Sequence, residues 1–145
     1  MSVNKVTDAT ARVGKLVSKG VITAADLNTT TVTFVVGAEA GNAINIAMTF
    51  KDGAGTVQAV PKAGLLYLST DAAGLTPATT PPQTSLLAGT NGKLTKWTAN
   101  LSGFFVTTAA GLIDVNITDT GTPTFYVVVV LPNGSLTVSG AVTFA

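Results

Sequence analysis

The chain has no cysteine and no histidine among its 145 residues, and only 10% of them are charged. Without cysteine there is no disulfide framework, thiolate nucleophile, zinc ribbon or iron–sulfur ligation. Without histidine the usual general base, the proton shuttle and the commonest metal ligand are also missing. Aromatic residues are few, at 6%. The longest apolar run, Phe125 to Leu131, falls far short of the ~20 residues of a membrane helix. The first residues lack the apolar core of a secretory signal, so the expectation is a protein that is not exported and has no membrane partner.

The net charge is only +1, from 8 basic and 7 acidic residues. Phosphate binding needs a surplus of Lys and Arg on one face, so nucleic acid is not an expected partner. The charge is uneven along the chain. Lys5, Arg12, Lys15 and Lys19 stand against Asp8 in the first twenty residues, and a slightly acidic body follows. Val3, Val6, Val13, Leu16 and Val17 fall near helical spacing there, but Gly14, Gly20 and the β-branched residues oppose a helix. The reading divides the chain into an N-terminal arm, residues 1–28, extended or briefly helical, and a β domain, residues 29–145.

What is abundant is β-branched: Thr occurs 25 times and Val 18 times, side chains that suit a pleated surface. Ile44, Ile46, Met48 and Phe50 alternate with Asn45, Ala47, Thr49 and Lys51. Ile113, Val115 and Ile117 alternate with Asp114, Asn116 and Thr118, expected to face water. A third alternation, Leu136, Val138, Gly140, Val142 and Phe144, is expected to line one face. Thr124 to Leu131 is apolar on both faces, which predicts a strand covered on both sides or set against a partner chain. Asn133-Gly134 is expected to turn that strand back through two positive-φ positions, and Asn91-Gly92 offers the same signal. Further strands are predicted at Thr31–Val36, Thr56–Val60, Leu65–Ser69, Lys93–Trp97 and Gly103–Thr108, for eight or nine in all. Leu75 to Ser85, with three prolines, reads as an extended surface loop. So many short strands cannot each bury one face in a single open sheet. The predicted fold is an all-β, two-sheet antiparallel β-sandwich, jelly-roll or immunoglobulin-like, preceded by an ordered arm.

No residues for catalysis stand together in the sequence. Asp52-Gly53 and Asp71-Ala-Ala-Gly74 read as Asx turns rather than metal loops. Gly89-Thr-Asn-Gly-Lys93 lacks the first Gly and the final Ser/Thr of a phosphate loop and reads as a β-hairpin turn. The Asn-X-Ser/Thr triplets at Asn28, Asn100, Asn116 and Asn133 follow from the abundance of Thr. Trp97, Phe104, Phe105, Phe125, Tyr126 and Phe144 are expected to pack in a core or an interface, because a stacking groove needs more charge than Lys93 and Lys96 supply. No enzyme activity, cofactor or metal is expected. A surface this poor in charge suits permanent contacts, and a homodimer or homotrimer is the expected state.

Three segments carry a family resemblance: Ile44-Asn-Ile-Ala-Met-Thr-Phe-Lys-Asp-Gly-Ala-Gly55, Leu66-Tyr-Leu-Ser-Thr-Asp-Ala-Ala-Gly74 and Phe125-Tyr-Val-Val-Val-Val-Leu-Pro-Asn-Gly-Ser-Leu136. Across roughly residues 40–145 the chain resembles capsid cement, or head decoration, proteins of tailed bacteriophages. The resemblance implies a virion structural protein on the outer capsid surface, made in the host cytoplasm. Its partners would be the major capsid protein, whose subunit contacts it would reinforce, and further copies of itself. No family binding residue aligns on this chain. From the charge asymmetry, Arg12, Lys15 and Lys19 are the candidate capsid-binding residues, attracting an acidic shell. The alternative is an immunoglobulin-like receptor- or glycan-binding module of a phage tail fibre or bacterial surface protein. A sandwich enzyme acting on cell-wall sugar is a third reading, disfavoured by the shortage of acids.

Overall fold

A computed structural model describes Lys19 and residues 30–145. Ten strands follow one another: β1 (Thr30–Val36), β2 (Ala43–Asp52), β3 (Ala63–Ser69), β4 (Ser85–Ala88), β5 (Lys93–Thr98), β6 (Ser102–Val106), β7 (Leu112–Thr118), β8 (Thr124–Val130), β9 (Leu136–Val138) and β10 (Val142–Thr143). They form two antiparallel sheets, one ordered β1-β2-β7-β4 and the other β10-β8-β3-β6-β5, with β9 also on β8. The protein is the predicted two-sheet antiparallel β-sandwich. In the smaller sheet β7 sits between β2 and β4, and in the larger one β3 sits between β8 and β6.

The inward alternations are as the sequence predicts. Ile44, Ile46, Met48 and Phe50 of β2 and Ile113, Val115 and Ile117 of β7 are all buried. They meet Leu66, Leu68, Phe105, Phe125, Val127 and Val129 of the larger sheet in one continuous core. Phe50 and Phe105 are tilted rings with centroids 5.5 Å apart, a favourable aromatic geometry that bridges the two sheets. Strand β8 is covered on both faces by its own chain: Phe125, Val127 and Val129 point into the core, while Val128 on the opposite face is also fully buried. Its second cover is the turn at Asp71–Gly74, where an added Gly74 side chain would lie 3.0 Å from Val138 and 3.1 Å from Val128.

Five local expectations are corrected. The 136–144 alternation does not keep one face, because the pairing register on β8 shifts by one residue between Val138↔Val128 and Val142↔Phe125. A bulge at Ser139 inserts the extra residue, so Val138 lies over the outer face and Val142 and Phe144 enter the core. Thr56–Val60 is not a strand. Val57 makes one isolated bridge to Lys51, and Val57 and Val60 stay exposed with no apolar face to bury.

Strand β4 was not predicted, since Leu86, fully buried, is its single inward apolar residue. The preceding proline-rich segment is not wholly a surface loop: Ala78 is buried and Pro77 bridges Ser69. At Pro132-Asn133-Gly134 only Gly134 has positive φ, because Pro132 and Asn133 form an ordinary turn and Gly134 supplies the left-handed residue that rejoins the strands. The two-residue turn with both φ positive lies at Gly41-Asn42, where Ala40 and Ala43 exchange backbone hydrogen bonds. Finally, Asp114 points away from the core yet is only 6% exposed, because the 89–91 turn folds over it.

Candidate functional site

The two outer faces of the sandwich differ in chemistry. On the smaller sheet the outward row is polar: Thr31, Thr33, Asn45, Thr49, Asn116 and Thr118. On the larger sheet the paired residues Leu136, Val130, Leu65, Phe104 and Thr95 form a single row across five strands. At the usual interstrand spacing that row is about 19 Å long. Val106 and Lys93 pair beside it.

One half of this larger face is closed by the chain itself. Tyr67 is paired with Val128, which is paired with Val138, and the Asp71–Gly74 turn lies over all three. The Tyr67 hydroxyl donates to the Gly74 carbonyl at 2.6 Å. Burial first, and then the neighbouring Asp71 charge, push the Tyr67 phenol above its usual range. The Asp71 carboxylate fastens the turn by accepting from the amides of Ala73 (2.7 Å), Leu75 and Thr76, so the predicted Asx turn is present. The other half is open. Phe104, Val106 and Leu136 are each 38% exposed, and Trp97, at a bulge in edge strand β5, is 66% exposed. Lys93 is exposed beside them, whereas Lys96 alternates to the other face, where its Nζ donates to Asn100 Oδ1 at 3.0 Å. An aromatic and aliphatic patch with a cation at its rim is the composition of a contact surface.

The acidic residues hold loops. Asp114 accepts from Asn45 Nδ2 at 2.7 Å, the Thr90 amide at 3.0 Å and the Asn91 amide at 2.6 Å. This ties the crossing from β4 to β5 down onto β7, so Gly89 to Lys93 is a crossing between the two sheets and not the expected hairpin, with positive φ at Gly92 but not at Asn91. Asp52 accepts from the Ala54 and Thr56 amides, both at 2.9 Å, as an Asx turn. Asp119, buried, accepts from the Gln83 and Gly121 amides at 2.8 and 2.7 Å, and it borders an open cleft of about 450 Å³ lined mainly by threonines and prolines. Among the described residues no three of His, Cys, Asp and Glu come together as metal ligands.

Of the residues singled out from charge, Arg12 and Lys15 lie outside the described residues, and Lys19 is exposed. The aromatic set divides: Phe105, Phe125 and Phe144 are core, whereas Trp97 and Phe104 are exposed. The open row escaped the sequence reading because its members are scattered over five strands. A signal was present, since Leu65, Phe104, Val106 and Val130 are apolar at positions whose strand neighbours already supply the inward face. Comparison of the chain with models of protein families, with curated proteins and with solved structures found no match.

Proposed function

We propose that the chain is a non-enzymatic virion structural protein that binds the outer surface of a phage capsid and reinforces contacts between major capsid protein subunits. The observation that carries the proposal is the open apolar half of the larger sheet, with Phe104, Val106 and Leu136 exposed on it and Trp97 exposed at its bulged edge. A reinforcing protein needs a rigid fold and a preformed apolar contact face, repeated at many symmetry-related sites where modest contacts combine. The sandwich, tied at its loops by Asp71, Asp114 and Asp119, answers the first need and the open row the second. The basic arm, with Arg12, Lys15 and Lys19, would add attraction that weakens with salt. The rival receptor- or glycan-binding reading has the threonine-lined cleft in its favour. That cleft offers sugar no exposed ring, because its one aromatic, Phe125, is buried.

The test mixes purified protein with undecorated phage capsids and measures cosedimentation. The native chain is expected to pellet in stoichiometric proportion to the capsid protein, and the double variant Trp97→Asp, Phe104→Glu to remain in the supernatant with an unchanged melting temperature. A native chain that stays in the supernatant, or a folded double variant that pellets equally, overturns the proposal.

A further inference from the structure

An antiparallel sheet that does not close has two edges, each with unpaired backbone donors and acceptors, and proteins usually guard them. Among the described residues three of the four edges are guarded. Strand β5 carries Lys93 and Lys96 and is broken by the bulge at Trp97. Strand β4 is four residues long, and the Asn100 side chain occupies its outer edge, accepting from the Leu86 amide at 3.2 Å and donating to the Thr84 carbonyl at 3.3 Å. The β9–β10 edge is interrupted at the Ser139 bulge and leaves pieces of three and two residues.

Strand β1 differs from all of these. Its seven residues, Thr-Thr-Val-Thr-Phe-Val-Val, contain no charge, no proline and no bulge, and each is in unbroken register with β2. Gly37 donates to Asn45 O at 2.8 Å, which fixes the phase of the ladder: Thr31, Thr33 and Val35 turn their backbone groups toward β2. Val32, Phe34 and Val36 therefore direct theirs outward, with no backbone partner among the described residues. Val35 is also 67% exposed, the most exposed valine among the described residues.

We propose that β1 pairs antiparallel with β1 of a second copy across a two-fold axis at Thr33, joining the two smaller sheets into one continuous sheet. The strand is complementary to itself in this register. Val32 would exchange backbone hydrogen bonds with the partner's Phe34, and Thr30 with the partner's Val36, so each outward group finds a match. On the inner side, Val32 and Phe34 would extend one apolar core into the next. On the outer side, Thr33 would face the partner's Thr33 and Val35 would cover the partner's Thr31, both favourable cross-strand pairs. An isologous contact of this kind closes at two copies and does not propagate into a fibre. The inference is independent of the capsid proposal, because it uses a different sheet.

Sedimentation of the full chain, with hydrogen exchange and thiol cross-linking, tests it. The native protein is expected to be a dimer in which the amides of Val32, Phe34 and Val36 are protected. Thr33→Lys, at an exposed position, sets like charges face to face and should weaken the dimer at least roughly tenfold while the sandwich stays folded. The chain has no cysteine, so Thr33→Cys introduces a single thiol. Non-hydrogen-bonded partners have Cα atoms about 4.5 Å apart, within disulfide reach. Thr33→Cys should therefore oxidise to a covalent dimer faster than Thr31→Cys. A monomeric native protein, a Thr33→Lys variant that remains fully dimeric, or faster cross-linking at residue 31 overturns the pairing. A monomer with protected Val32, Phe34 and Val36 amides does so too and assigns the edge to another segment of the same chain.

Discussion

At the scale of the residue, carboxylates in this protein act as receivers of backbone donors. Burial disfavours the charge of Asp114, but the Asn91 amide, the Asn45 side chain and the Thr90 amide outweigh it and hold the pKa below the usual carboxylate range. Asp71 is lowered to about 2, chiefly by the Thr76 hydroxyl, with desolvation opposing and the Leu75, Thr76 and Ala73 amides adding to the lowering. Both groups titrate lower folded than unfolded, so their stabilisation is complete above the unfolded value of about 4 and fades as the pH falls through the folded values. The melting temperature should fall between about pH 4 and pH 2, and Asp71→Asn should remove part of that fall in an acid series of thermal melts. Gly89 is the steric counterpart. A side-chain carbon there would lie 1.8 Å from Asp114 Oδ2, so Gly89→Ala must expel the carboxylate from its donors. A loss of about 2–4 kcal/mol in urea unfolding is expected, from a displaced buried charge and its orphaned partners. Gly140→Ala, whose nearest neighbour is Val36 at 3.8 Å, is the control and should change stability by less than about 0.5 kcal/mol.

At the scale of the element, single insertions decide which side of a strand is inside. Ser139 makes the bulge opposite β8 a specific structure. Its amide donates to Val127 O at 2.9 Å, and its hydroxyl accepts from Val127 N at 2.9 Å and donates to Gly140 O at 2.8 Å. Ser139→Ala leaves the buried Val127 amide without a partner. It should cost about 1–2 kcal/mol and speed exchange of the Val127 amide proton ahead of its neighbours. The same bulge explains the failure of the alternation from Leu136 to Phe144. Period-two reading assumes that no residue is skipped, and a skipped residue leaves no mark in hydrophobicity. The long alternations in β2 and β7 were legible because they run unbroken and face one core. Leu86 in β4 was not, because one inward residue makes no period.

At the scale of the whole molecule, the sandwich presents one mostly polar face, one face half closed by its own turn and, among the described residues, one unguarded edge. These features separate two kinds of contact: the open row of the larger sheet offers side chains, and β1 offers backbone. Association through β1 adds free energy to folding by mass action. The melting temperature of the native chain should therefore rise with protein concentration over a hundredfold range, and that of Thr33→Lys should not. Calorimetry at two concentrations measures the difference.

The amino-acid sequence by itself determined the class of fold, because β-branched abundance, alternation and turn residues are local properties that each strand expresses wherever it sits. It also marked Asp52 and Asp71 as turn carboxylates, since an Asx turn is closed by the few residues that follow it. Tertiary structure alone decided that Asp114 is buried, that Val138 and Val142 take opposite faces, and that Phe104 and Trp97 are exposed while Phe105 and Phe125 are core. It also decided which of four edges is left unguarded. Each of these depends on what lies across a strand or over a sheet, and those neighbours are brought together by pairings between residues far apart in the chain.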